Sequence, residues 1–250
     1  MRRRGIQHAL RSRIQRDRAQ VRSPVTTGSQ LDHLIPPEIK DDPFAEMIEG
    51  VAATSGVREI LEIGSSAGDG STEAWVRGAR LNPVLPQLHC VEVSVERHAA
   101  LVDRWRGEDF VHCYNVSSVP LERFPSADDV ERFYRDTPSR LRSFELEAVL
   151  GWLQQDIDYL TEHGLSCPGI SQIKAEHGID NFDAVLIDGS EFTGSAELDE
   201  VYGTRFILLD DTETFKNWES TRRLEEDPRY RLVGRDSSTR NGFAVFERAD

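Results

Sequence analysis

Arg58-Glu59-Ile60-Leu61-Glu62-Ile63-Gly64-Ser65-Ser66-Ala67-Gly68-Asp69-Gly70-Ser71-Thr72 is the stretch that decides the fold. A short apolar run halts at Gly64, and three glycines stand within seven residues. The residues from Ser71 to Arg77 then carry helical patterning. A buried strand entering a glycine-rich turn and a helix builds a concave wall with free N–H groups at the helix start. The spacing is G-x-x-x-G-x-G, unlike the G-x-G-x-x-G of dinucleotide binders or the phosphate loop, and no lysine follows. Glu62, just before the first glycine, disfavours a pyrophosphate and suits a ligand carrying an amine or a sulfonium.

Outward from this stretch the same alternation repeats. Upstream, Phe44, Met47, Ile48, Val51 and Ala52 recur at three- and four-residue intervals, which predicts a helix. Asp42 stands at its N-cap and Pro43 at its first position. Downstream, apolar runs predict strands over 88–93, 110–116, 182–187, 205–209, 230–233 and 242–246, with a helix over 95–106. Strands separated by helices imply an α/β fold with helices on both faces of a mostly parallel, Rossmann-like sheet of seven strands. The segment between the last two strands is too short for a parallel crossover, so that pair is expected to be antiparallel. About 65 residues part the third and fourth strands. Leu146, Val149, Leu150, Leu153, Ile157 and Leu160 give them helical spacing, so residues 118–180 form a helical insertion that covers or shapes a site.

Composition narrows the class. The chain has 250 residues, 38% apolar and 30% charged, as in a globular protein. No run approaches the roughly 18–20 apolar residues of a membrane span, and no secretory leader is apparent. Cys90, Cys113 and Cys167 make neither a disulfide framework nor a zinc cluster, so a reducing cytoplasm is the expected home. The net charge is −14. Residues 1–22 carry a local +7 from eight arginines against Asp17, leaving −21 on the rest. An acidic body of that size repels polyphosphates, so nucleic acid is not the expected substrate. Residues 1–40, basic and then rich in turn chemistry, are expected to be an arm and linker before a domain over 41–250.

A second strand tip bears on the ligand. Glu92 ends the second strand about 28 residues beyond Gly64, where a carboxylate can accept hydrogen bonds from both hydroxyls of an adenosine ribose. Glu62, Gly64, Gly68 and Gly70, with Glu92 and the strand order, resemble a class I S-adenosylmethionine-dependent methyltransferase over residues 44–248. The resemblance implies that Glu62 and the loop Gly64, Ser65, Ser66, Gly68, Gly70, Ser71 and Thr72 face the methionine part of the cofactor. It places Glu92 at the ribose and Asn115, Val116 and Ser117 beside the adenine.

Asp188 ends the fourth strand, while Asp210 and Asp211 end the fifth. Grouped carboxylates are ligands for a hard cation such as Mg²⁺. This part is similar to the metal-assisted small-molecule O-methyltransferases, in which an Asp ends strand four and an Asp-Asn pair ends strand five. The likeness makes Asp188, Asp210 and Asp211 metal-ligand candidates, with Asp188 also beside the cofactor. Glu191 stands where catechol-type members have a lysine base, which leaves Asp188, Glu191 and Asp210 as catalytic candidates. Capping roles for the three aspartates remain open beside the metal. Lys216 and Asn217, near the start of the helix after strand five, are within reach of an acceptor but read first as a solvated helix face, and Arg240-Asn241-Gly242 reads as a turn without chemistry.

The expectation is therefore methylation of a hydroxyl on a small polar acceptor such as a sugar or secondary metabolite. Two other classes stay in view: an NAD-dependent oxidoreductase, whose glycine spacing would differ, and a non-catalytic cofactor-binding protein that docks through its basic arm. A homo-oligomer is compatible with all three.

Overall fold

The computed structural model describes residues 30–249. The arginine-rich arm therefore lies outside the described residues. Seven strands, β1 (Glu59–Ile63), β2 (Gln87–Val91), β3 (Val111–Tyr114), β4 (Ala184–Ile187), β5 (Phe206–Asp210), β6 (Tyr230–Asp236) and β7 (Phe243–Arg248), form one sheet in the order β3-β2-β1-β4-β5-β7-β6. The first five are parallel, and β7 inserts antiparallel between β5 and β6. The order reverses between β1 and β4, so their carboxyl ends open a crevice at the switch point, where open α/β sheets bind ligands.

Side-chain alternation sends each strand's residues to two cores. Ile60, Leu88, Leu186 and Leu208 pack under α1 (Pro43–Ala52), α2 (Ser71–Leu81) and α3 (Val95–Trp105). The insertion between β3 and β4 contributes α4 (Ala127–Asp136), α5 (Leu146–Glu162) and α6 (Gly169–His177). Leu61, Val185, Ile207 and Phe246 face the other way, under α6, α7 (Gly194–Val201) and α8 (Phe215–Glu226). Burial on both faces explains why the central strands β4 and β5 read as unbroken apolar runs rather than alternating ones. The sequence places α1 correctly: Ala45 N donates to the Asp42 carboxylate at 2.8 Å, and Pro43 opens the helix. Val130, Leu141, Val149, Leu153 and Phe192 make a third, smaller core that fixes α4 and α5.

One boundary shifts. Residues 31–40 read as linker, yet the compact unit begins at Leu31. Ile39 is buried in the first core. Asp32 accepts hydrogen bonds from Tyr159 Oη on α5 at 2.5 Å and from Ser94 Oγ at 3.0 Å. Prolines and glycines signal an absence of regular structure, not an absence of packing. No helix among the described residues is long and apolar enough to cross a membrane.

Three histidines meet on the α6 face of the sheet. His89 on β2 lies beside His112 on β3 and against His177 from α6, with ring centroids 5.1 and 4.6 Å away. His89 also contacts Tyr114 Oη at 3.1 Å and Glu59 at 3.0 Å. Burial, and then the other two imidazoles, push His89 down to about 3. The unfolded chain takes up this proton near pH 6.5 and the folded chain does not. Stability attributable to His89 is thus complete above about pH 6.5 and is lost as pH falls toward 3. Between about pH 7.5 and 5 the loss is about 2 kcal/mol. In thermal melts across that interval, His89→Leu should lose less melting temperature than the wild type; equal losses would place the acid sensitivity elsewhere.

Candidate functional site

A cavity of about 290 Å³ occupies the crevice at the carboxyl ends of β1, β2, β4 and β5. Its floor is the glycine turn, because Gly64, Ser65, Ser66, Asp69, Gly70 and Ser71 line it. The turn folds this way for a steric reason. Gly64 has φ 89°, and a Cβ there would stand 2.2 Å from the Asp188 carbonyl oxygen at the end of β4. Gly68 answers a different need: it packs on α3, where Trp105 Nε1 donates to its carbonyl at 3.1 Å. The first turn of α2 opens on the cavity with no side-chain cap; Glu73 N donates to the Gly70 carbonyl, which leaves the Ser71 and Thr72 N–H groups for a ligand.

Glu92 holds the next wall. Its Oε2 accepts from Ser66 N and its Oε1 from Ser94 N, both at 2.7 Å. One carboxylate thus joins the glycine turn to the β2–α3 turn, and each oxygen keeps a second lone pair. Burial raises the Glu92 pKa, partly offset by these two backbone donors. Asn115 stands behind this wall, with its Nδ2 donating to the Glu92 and Val93 carbonyls at 2.8 and 2.9 Å. The roof comes from outside the sheet. Residues Ile35 to Ile39 cross one side, while Asp156, Tyr159 and Leu160 of α5 face the cavity. Asp32 is the tie between these two covers, through Tyr159.

The residues singled out in the sequence divide into two groups. Gly64, Ser65, Ser66, Gly70, Ser71, Glu92, Ser117, Asp188 and Asp211 line the cavity. Glu62, Gly68, Thr72, Asn115, Val116, Glu191 and Asp210 do not. Glu62 is on the α2 side of β1, fully buried, and accepts from Thr72 Oγ1 at 2.7 Å, so it braces the helix instead of facing a ligand. Strand alternation decides this, since Ile63 and Glu62 must point oppositely. Val116 packs against the second core. Glu191 accepts from Lys216 N at 3.2 Å, supporting the start of α8, and burial pushes it up to about 7. Its place behind the wall removes it from direct contact with an acceptor.

The carboxylate cluster is real but already neutralised. Asp188, Asp210 and Asp211 bring one oxygen each within 4.8 Å of one another. Lys216 Nζ lies 2.9 Å from Asp188 Oδ1 and 2.7 Å from Asp211 Oδ2. Arg240 Nη2 lies 3.0 Å from Asp210 Oδ1, and its Nη1 binds Asp42. Burial raises Asp188 well above the carboxylate range, against the pull of Lys216. Asp211 would also rise on burial, but Lys216 and Asn241 hold it low. Lys216 is 7% exposed and Asn217 fully buried, which overturns the reading of an exposed helix face. Arg240 likewise has an electrostatic task that its turn setting hides. A Mg²⁺ ion needs oxygens at about 2.0–2.1 Å in octahedral array. The ammonium stands among those oxygens, so this donor set does not fit a metal.

Asp156 is the residue that pattern reading passed over. Its Oδ2 accepts from Ser190 Oγ at 2.6 Å, and burial raises its pKa. The signal was present: Val149, Leu153, Asp156 and Leu160 form one helical stripe, and an acid within an apolar stripe must face something polar.

No family model and no curated protein matches the chain. Solved structures do. A Corynebacterium glutamicum protein superposes with a TM-score of 0.50 at 12% identity, covering 95% of this chain and 98% of that one. A Geobacter sulfurreducens methyltransferase gives 0.49 at 10% identity, covering 97% and 88%. An SAH-bound Podospora anserina methyltransferase gives 0.47 at 13% identity, covering 98% and 96%. At these identities the likeness is one of fold. With its strand order, its single antiparallel strand and its glycine turn after β1, the chain has the Rossmann-like fold of the class I S-adenosylmethionine-dependent methyltransferases.

Proposed function

We propose that the chain is an S-adenosylmethionine-dependent methyltransferase that acts on a hydroxyl of a small, polar, uncharged or cationic acceptor. One observation carries the reading: a single roofed cavity is lined by the glycine turn and Glu92 together with Asp156, Asp188 and Lys216. The chemistry of the wall fits the cofactor. Glu92 offers carboxylate lone pairs for two ribose hydroxyls, and the open first turn of α2 offers N–H donors for a carboxylate. Six acids line the cavity (Glu38, Asp69, Glu92, Asp156, Asp188 and Asp211) against Arg97 and Lys216 as the bases. Such a field favours a sulfonium and disfavours phosphorylated or otherwise anionic acceptors.

When bound, the cofactor supplies an activated methyl group, so the protein's share is alignment and proton removal. The insertion helix α5 and residues 35–39 exclude water and hold the acceptor in line with the methyl, where alignment contributes several kcal/mol. Asp156 is the base candidate: it stands at the cavity wall, and burial raises its pKa, which makes its carboxylate a stronger proton acceptor than an exposed one. Calorimetric titration with S-adenosylhomocysteine tests the proposal. Binding in the micromolar range is expected; no heat at several hundred micromolar ligand would end the reading.

A further inference from the structure

The resemblance to metal-assisted O-methyltransferases leads one to look for Mg²⁺ at Asp188, Asp210 and Asp211, and the geometry answers differently. We propose that the Lys216 ammonium is the resident cation of this cluster, standing where a divalent ion would otherwise be held, and that the protein binds no metal there.

Each carboxylate has a protein partner. Asp188 and Asp211 share Lys216 Nζ, while Asp210 is bound by Arg240. The second oxygen of Asp211 accepts from Asn241 Nδ2 at 3.0 Å. Lys216 has no free choice of position. Its backbone N–H donates to Glu191, and the Thr214 hydroxyl two residues earlier donates to the Asp211 carbonyl at 3.1 Å. Asn217 Nδ2 then donates to the carbonyls of Ile187 and Asp210 at 3.0 and 2.7 Å, pinning the start of α8 across the ends of β4 and β5. Asp211 itself adopts φ 52°, a costly conformation for a non-glycine residue, which aims its carboxylate at the ammonium. An ion in contact with these oxygens would share the space of Nζ and would meet two fixed positive charges. Lys216 also reaches the cavity wall. An ammonium has three donors, and Asp188 and Asp211 take two, so the third is available to an acceptor oxygen. That last role rests on the methyltransferase reading; the displacement of the metal does not.

The test uses Mn²⁺ as the probe, with the full chain freed of metal by a chelator and bound ion counted by loss of the free-ion resonance signal. The wild type should bind no stoichiometric Mn²⁺ up to about 1 mM. Lys216→Met keeps the apolar stem and removes the charge, and it should gain one Mn²⁺ with affinity at least about tenfold higher than the wild type. Adding Asp188→Asn to that variant should abolish the gain, and Lys216→Arg should behave as the wild type. Stoichiometric binding by the wild type that Asp188→Asn removes would overturn the proposal. So would a folded Lys216→Met protein that binds no ion. Should Lys216→Met not fold, the wild-type titration with and without Asp188→Asn decides alone. None of these readouts involves methyl transfer, so they stand apart from the S-adenosylhomocysteine titration.

Discussion

Glu92→Ala is expected to weaken S-adenosylhomocysteine binding by about two orders of magnitude. The carboxylate has two tasks at once. It holds the Ser66 and Ser94 N–H groups, which sets the spacing between the glycine turn and the β2–α3 turn. In the proposed cofactor pocket its remaining lone pairs would accept from the ribose hydroxyls. Hydrogen bonds to a charged group contribute about 1.5–3 kcal/mol each, so losing two costs about 3 kcal/mol or more of affinity. Glu92→Gln should fall between the wild type and alanine, because its amide sets a donor against one of the two backbone N–H groups. Calorimetry on the three proteins is the measurement. An alanine variant that binds as the wild type does would move the nucleoside pocket away from β2.

Gly64→Ala should have the largest effect on stability, about 3 kcal/mol, or a fall of about 10 °C in melting temperature. The added Cβ would lie 2.2 Å from the Asp188 carbonyl oxygen and 2.6 Å from its carbonyl carbon, both backbone atoms in the centre of the sheet. They cannot yield without parting β1 from β4, which are joined at this level by Asp188 N donating to the Ile63 carbonyl at 3.1 Å. The φ of 89° adds conformational strain. Gly107→Ala is the control. Its Cβ would meet nothing within 4 Å, and no strain attends its backbone, so its melting temperature should stay within a degree or two of the wild type. If Gly64→Ala melts with Gly107→Ala, the close approach is not what demands glycine.

Much of the architecture can be read from local pattern. Runs such as Ala184 to Ile187 and Phe206 to Leu209 are apolar on both sides because both faces of the sheet are covered. Their alternation with helices dictates parallel order, and the short join from Gly234 to Asn241 dictates the antiparallel end. The glycine turn is legible for a similar reason, since its backbone demands act within a few residues. Glu92 also announces itself, as an acid at a strand tip.

Side-chain partnership across the fold is a different matter. Glu62 and Asp188 look alike in sequence, each an acid at the end of a buried strand. One bonds Thr72 in the interior and the other meets the cavity, and the pleat of β1 against the helices separates them. Lys216 resembles any lysine on a polar helix until α8 is laid across β4 and β5. Only then do the carboxylates of Asp188 and Asp211 meet it. Asp32, Arg240 and Asp156 belong to the same kind, each bound to groups between 30 and 202 residues away in the chain. Turns and amphipathic faces are properties of neighbours, written in short-range order. Charge compensation depends on which distant groups packing brings within about 3 Å, and that distance exists only once the sheet and its helices have closed.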